Sequence, residues 1–433
     1  MKMLYLGGMR VLCFVTLFSF ANVQLSYSQQ WVQLGGGADD LVITIYHDSI
    51  ADLLYVGGSF DSPYQGIMNW DGTSFNSMGN NALEYLTAND MIHYNGNLVV
   101  VGSGFPPQNE IYHTASWDGN SWTQMSFDYG TSSALGVFEV DTFQGDLYAV
   151  GTIHRVDSVY LKNVIRWNDS TLTWDPVNRG IFNDYPTIGD GSNGIAMTVY
   201  NNELYVGGDC DSAGIVAVNN VAKWDGNSWA PVGNGVNSRV LELIEFNGKL
   251  YAATNSDGLH EWDGTTWTQV ATMDWGIGSM HVFNNELYVG GSFTLIAGNS
   301  YKYIAKWDGQ NWDSVGTELD SYVMDITNYH GALVIAGNFT SHAGGGPGGL
   351  RRIATLGPIP GINDQYLENG FGIYPNPTTG QFTVQGATGT ITVHDLFGRL
   401  VLTANKPQID MSAFPKGVYI VRVGDAVRKL VVQ

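Results

Sequence analysis

The segment WVQLGGG, Trp31–Gly37, decides how this chain is read, because it is a tail without a head. The same closing phrase ends longer units downstream, as WAPVGNG from Trp229 and WDSVGTE from Trp312. Those units begin well upstream with a phrase such as NNELYVGGSF and continue through IAKWDG. Leu-Tyr-Val-Gly-Gly or a near relative starts at Leu54, Leu98, Leu147, Leu204, Leu250, Leu287 and Leu333. Trp-Asp-Gly-x-x-Trp or a near relative starts at Trp70, Trp117, Trp167, Trp224, Trp262 and Trp307. The unit opened by Leu333 reaches RRIATL, where Ile353, Ala354 and Leu356 stand in the places of Ile304, Ala305 and Trp307, and then stops. It lacks a closing segment, and the N-terminus has one to spare. Self-similarity of this kind outranks any local motif as a signal of fold.

Within a unit, apolar residues recur with period two, which points to strands. In SMHVFNNELYVGGSF, Met280 and Val282 alternate with His281 and Phe283, Asn284 and Asn285 form a turn, and Leu287 and Val289 alternate with Tyr288. Asn95-Gly96 and Asn247-Gly248 fill the same slot, where both central residues of a tight hairpin need positive φ. IAKWDGQNWDSVG adds two short strands around Asp308-Gly309, giving four strands per unit of about 45 residues. One such sheet cannot bury both its faces, whereas seven packed radially each lie between two others. The expectation is an all-β chain in which residues 29–357 form a seven-bladed β-propeller, closed by Trp31 to Leu34 as the last strand of the last blade. The tryptophans are expected to fill the widening space between blades. Gly57-Gly58 and Gly290-Gly291 mark a bulge or a close backbone approach. No helix is expected.

Composition narrows the setting. Residues 1–28 carry Lys2 and Arg10, no acid, and the apolar run Val11 to Phe20, the pattern of a signal peptide. Cys13 lies inside the apolar run, so a lipoprotein anchor is not expected. After the leader Cys210 stands alone, so stability must come from a large core and not from an internal disulfide. The formal charge is −21, and without the two leader bases it is −23. Residues 371–433 hold three acids and six bases, so their +3 leaves −26 for residues 29–370. A surface that acidic repels phosphate backbones, which argues against nucleic acid as a partner. No apolar stretch beyond the leader approaches the length of a membrane span, and a monomer is expected.

In an up-and-down blade the first and third turns lie on one face, and the longer connections lie on the other. The first set is nearly constant in length here, while the second varies from SGFPPQNEIYHT (Ser103 to Thr114) to NRGIFNDYPTIGDGSNG (Asn178 to Gly194). Binding residues concentrate on loops that a rigid scaffold displays, so the variable face is the candidate site. Its aromatic candidates are Phe105, Tyr112, His113, Phe182, Tyr185, Trp275 and Tyr301. Asp190, Asp209 and Asp211 sit in loops but follow no Ca²⁺-loop pattern, and the histidines form no His-x-x-x-His pair, so no metal or other cofactor is implied. KWDGNSW lacks the leading Ser of a sialidase Asp-box, and no Gly-x-Ser-x-Gly elbow occurs. A paired-carboxylate glycosidase stays open as an alternative, since sequence does not show which acids converge. No catalytic residue is assigned.

The phrases LYVGGSF and IAKWDG resemble those of secreted kelch-like propellers and of the cortical-marker repeats of fungal polarity proteins, over about residues 30–357. GPIPGINDQYLENG then breaks the repeats, and residues 358–370 read as a linker. Beyond it come YPNPTTGQFTV, ITVHDLFGRLV, IDMSAFPKGVYIVRV and a terminal RKLVV, strand-like segments of a small β-sandwich. Residues 371–433 closely resemble the C-terminal sorting domain of the type IX secretion system of Bacteroidetes. That resemblance implies passage through the periplasm, recognition by the type IX machinery through residues 371–433, and release or attachment at the outer cell surface. The combined expectation is a secreted or cell-surface binding or adhesion module whose ligand is a glycan, a polysaccharide or a protein, with a polysaccharide-active enzyme as the alternative.

Overall fold

The computed structural model describes residues 30–79, 86–103, 113–125, 136–153, 155–156, 159–160, 162–183, 193–343, 349–357, 372–374, 376, 378–385, 389–394, 399–423 and 426–432. The leader and the linker lie outside them. Among the described residues every regular element is a β-strand, and none is a helix. Residues 31–356 build seven four-stranded antiparallel sheets in chain order. Their first strands are Val42–Asp48, Thr87–Tyr94, Val137–Phe143, Asn193–Tyr200, Val240–Phe246, Ile277–Phe283 and Val323–Tyr329. The hairpin that follows turns on left-handed residues such as Asn247 and Gly248, at φ 53° and 74°, which is why the sequence places Asn-Gly there.

Each first strand carries a bulge near its start, for example between Ala88 and Asp90 and between Gly194 and Ala196. The bulge presses the first strand onto the second. A Cβ on Gly208 would lie 2.0 Å from the Asn193 carbonyl oxygen, and one on Gly151 equally close to that of Gly136. The second glycine of Leu-Tyr-Val-Gly-Gly is therefore a steric requirement of the bulge and not a phosphate cradle.

The apolar residues gather between sheets and not within one centre. Tyr55 and Met91 share a core between sheets one and two, Val99 and Val140 between two and three, and Val150 and Met197 between three and four. Ala196 and Leu243 follow between four and five, Ala253 and Met280 between five and six, and Tyr288 and Ile326 between six and seven. The seventh core joins the last sheet to the first, with Tyr329 and Val334 against Val42 and Ile45.

Trp31–Gln33 is the outer strand of the seventh sheet, with Trp31 opposite Leu356 and Gln33 opposite Ala354. Two further backbone bonds, Leu34 N to Ile353 O at 3.2 Å and Gly357 N to Gln30 O at 3.1 Å, extend that pairing. Trp31 also occupies the place of the second tryptophan of the repeat. In sheets two, four and five that residue donates its indole N–H to a carbonyl closing the preceding sheet: Trp122 to Met78, Trp229 to Val177 and Trp267 to Val232. Trp31 does the same to Thr317, at 3.0 Å, across a separation of 286 residues. The tail at the N-terminus thus completes the unit at the other end.

The C-terminal residues form a three-stranded sheet (Gly372–Tyr374, Gln381–Gln385, Gln408–Asp410) and a four-stranded one (Ile391–His394, Leu400–Ala404, Gly417–Val423, Ala426–Val432). Phe382, Val384, Val393, Met411, Val421 and Leu430 share their own core.

Candidate functional site

The aspartates of the Trp-Asp-Gly turns are satisfied within those turns. In each of five turns the aspartate Oδ1 accepts two backbone N–H groups: Asp71 from Thr73 and Ser74, Asp118 from Asn120 and Ser121, Asp225 from Asn227 and Ser228, Asp263 from Thr265 and Thr266, and Asp308 from Gln310 and Asn311. Backbone N–H groups, with a hydroxyl or, for Asp308, the Asn311 amide, hold the carboxyls of Asp118, Asp225, Asp263 and Asp308 below their ordinary range, and Asp71 is lowered likewise against a desolvation effect of the opposite sign. Carboxylates so engaged are turn-formers, not acids or bases for chemistry.

The sequence candidates lie on or beside the long connections, and the structure sorts those it describes. Phe105, Tyr112 and Tyr185 lie outside the described residues, as does Asp190. His113 is 1% exposed, its Nδ1 3.2 Å from the Gly102 carbonyl, and burial lowers its pKa to about 4, so it stays neutral. Phe182 is 6% exposed with the Lys162 ammonium 3.3 Å from its ring centroid. Tyr301 is half-buried and donates its hydroxyl to the Trp312 carbonyl at 3.1 Å. These three are packing residues. Trp275 is different: of the thirteen tryptophans, all of them described, it alone stands in solvent, at 65% exposure.

The backbone that presents Trp275 is stitched down. Asp274 accepts the N–H groups of Thr294 and Leu295 at 2.8 and 2.9 Å, Ala297 N bonds Thr272 O at 2.9 Å, and Ser292 N bonds Gly276 O at 3.1 Å. Asp39 clamps Asp61 and Ser62, and Asp320 clamps Thr340 and Ser341, in the same way elsewhere. The sequence reading missed these clamps, whose signal is an acid shortly ahead of a first strand. An exposed indole on this clamped backbone, with Leu295 also exposed on the neighbouring hairpin, offers apolar surface of the kind that stacks on a ring.

A second feature went unread in the sequence. The residue after the bulge in the seven first strands is Thr44, Asp90, Glu139, Ala196, Glu242, Ser279 and Asp325. Three of the four acids reach across to the next sheet: Asp90 accepts from Val140 N at 2.9 Å, Glu139 from Met197 N at 2.9 Å and Asp325 from Ile45 N at 2.8 Å. Burial pushes Asp90 up to about 8 and Asp325 to about 6, and lifts Glu139 and Glu242 well above the carboxylate range. Mutual repulsion adds to that rise. The signal was present, since an acid lies eight residues ahead of Leu98, Leu147, Leu250 and Leu333.

Among the described residues no group of three or more His, Cys, Asp or Glu side chains is placed to hold a metal ion. Asp211 instead accepts the Ser212 hydroxyl at 2.8 Å. His281 bonds Asn328 Oδ1 at 2.9 Å, and burial lowers its pKa. No helix among the described residues is long and apolar enough to cross a membrane.

Comparison with known proteins bears on fold and destination. No curated protein sequence matches the chain. Among solved structures, the extracellular domain of a hybrid two-component system from B. thetaiotaomicron is similar at 14% identity and a TM-score of 0.52, over 93% of this chain and 52% of that one. A second such extracellular domain from the same organism gives 14% identity and a TM-score of 0.50, over 93% and 54%. The chain thus spans about half the length of these structures, and at such identity the likeness concerns fold alone. Residues 372–433 match the family of secretion system C-terminal sorting domains. The chain therefore ends in a type IX sorting domain and is exported to the outer cell surface or secreted.

Proposed function

We propose that residues 29–357 are a seven-bladed β-propeller closed by Trp31–Gln33, that residues 358–370 link it to the sorting domain at 371–433, and that the propeller is a glycan-binding module at the cell surface. The ring reading is supported by seven inter-sheet cores in cyclic order, the last joining sheet seven to sheet one. The binding reading rests on Trp275, the one solvent-exposed tryptophan, carried on a clamped loop of the variable face. A flat exposed indole suits the apolar face of a pyranose. The acidic charge of residues 29–370 favours a neutral sugar over a polyanion.

The test is binding of the purified protein and of Trp275→Ala to an array of glycans and polysaccharides, with reducing-sugar release followed on the same plates. Binding weakened about tenfold by Trp275→Ala is the expected result, equivalent to the loss of one stacking contact. Binding unchanged by that substitution removes Trp275 from the site. Sugar release puts the glycosidase reading first, and silence in both assays sends the search to protein partners.

A further inference from the structure

We propose that Asp90, Glu139 and Asp325 form a proton-dependent latch, holding neighbouring first strands together while they retain protons and loosening them once they and Glu242, which faces the same space, ionise. All four occupy the place just after the bulge in their own first strand, so one strand geometry aims them at one central space. They feel one another there: Asp90 is raised by Asp325, Glu139 by Glu242 and Asp90, and Glu242 by Asp325 and Asp90. The first strands pack against one another in cyclic order, the seventh against the first, which brings these carboxylates of sheets two, three, five and seven toward a common interior.

The surroundings offer no countercharge. None of the seven first strands contains a lysine or arginine. Their other ionisable groups are Tyr46, His47, Asp48, His93, Tyr94, Asp141, Tyr200, Glu245, His281 and Tyr329. Asp141, raised by burial to about 6, is a further acid, and burial disfavours the charged form of His281. Among the second strands Lys249 is the one base, and its ammonium is paired with Glu261 at 2.6 Å. Arg239 stands in the loop ahead of Val240. The oxygens of the four acids are nevertheless structural acceptors. Asp90 bonds both its own strand, Met91 N at 2.7 Å, and the next, Val140 N at 2.9 Å. Asp325 joins three sheets, taking Ile45 N, Ile326 N and the Ser279 hydroxyl. A carboxyl that keeps one proton can accept these bonds without the full repulsion of its neighbours.

The sign follows from linkage. Groups whose folded pKa is raised stabilise the fold below their ordinary range, and that contribution is lost as pH rises through their folded values. The window of loss begins above the ordinary carboxylate range and runs through the folded values, about 6 for Asp325 and about 8 for Asp90, with Glu139 and Glu242 also raised well above that range. All thirteen tryptophans lie between Trp31 and Trp312, so tryptophan fluorescence reports melting of this part of the full chain alone.

Melting temperature is to be recorded from about pH 5 to about pH 9 for the protein, for Glu242→Gln and for the fourfold variant Asp90→Asn, Glu139→Gln, Glu242→Gln, Asp325→Asn. The protein should lose several degrees, on the order of 5 °C, across the window, the single variant clearly less, and the fourfold variant about none. Glu242 accepts only the Leu243 amide of its own strand, and Gln keeps that acceptor, so the single variant decides the matter even if the fourfold one does not fold. A melting temperature that is flat or rises through the window, or a slope that Glu242→Gln leaves unchanged, overturns the proposal.

Discussion

Replacing Trp31 by Ala tests whether the N-terminal tail closes the ring of sheets. Trp31 is 2% exposed and packs with Val315, Leu319, Ile335, Ala354 and Leu356, while its indole is the donor to the Thr317 carbonyl. Emptying a buried tryptophan site costs about 3–5 kcal/mol, and the orphaned carbonyl adds about 1 kcal/mol. A cooperative unit the size of residues 30–357 unfolds with an entropy of about 0.7 kcal/mol per degree, so the melting temperature should fall by about 6–9 °C. Trp31→Phe keeps most of the buried surface and loses the donor, and should fall by about 2 °C or less. Trp275→Ala is the control, since an exposed ring removed from the loop face should leave the melt within about 1 °C. Near-ultraviolet circular dichroism or tryptophan fluorescence gives the curves. If Trp31→Ala melts with the unsubstituted protein, the pairing of Trp31 with Leu356 is not what joins the chain ends, and the closure argument fails.

Acid should act through other groups than alkali. The turn aspartates Asp71, Asp118, Asp225, Asp263 and Asp308 have lowered pKa values, so their contribution is present above the ordinary carboxylate range and is lost as pH falls through their folded values. Acid unfolding should therefore begin only below about pH 4, and Asp263→Asn should shift its midpoint, read by circular dichroism. Burial pushes the Cys210 thiol up to about 12, so a thiol reagent near neutral pH should leave it unlabelled in the native protein and modify it once denaturant opens the fold. Labelling of the native protein at the rate of a free thiol contradicts that placement.

The strand pattern and the orphan tail were legible in the sequence because each rests on a short-range rule. Period-two alternation marked the strands, Asn-Gly marked the hairpins, and the missing segment after Leu356 matched the surplus one at Trp31. The candidate site was less legible because burial in the loops is a tertiary property. Phe182 and His113 look exposed in sequence, but both are buried, Phe182 where its strand pairs with the small hairpin of Ser212–Ala213 and Val216–Ala217. Trp275 escapes that fate because Asp274 holds the segment beside it to Thr294 and Leu295. The acids of the first strands were hidden for another reason. Reading strands by their apolar positions discards the polar ones, and only the shared bulge shows that Asp90, Glu139, Glu242 and Asp325 are equivalent.

The C-terminal strand offers the last test, and the structure changes what that test means. A final strand that adds to a receptor sheet must present free backbone groups. Here Ala426–Val432 is paired along its length with Gly417–Val423. Its other edge is partly occupied as well: Val431 N donates to Asn376 Oδ1 at 2.8 Å, and Val431 O accepts from Thr378 N at 2.8 Å. Leu430 and Val432 belong to the core of this part of the chain. Deleting Lys429 to Gln433 therefore removes core as well as edge, and the expected outcome is loss of export together with protease sensitivity of residues 372–428. Export lost while that region stays protease-resistant would assign the strand to recognition and not to folding, leaving the edge from Ala426 to Leu430 as the place where a receptor strand could add. Normal export of the truncated protein would sink both readings.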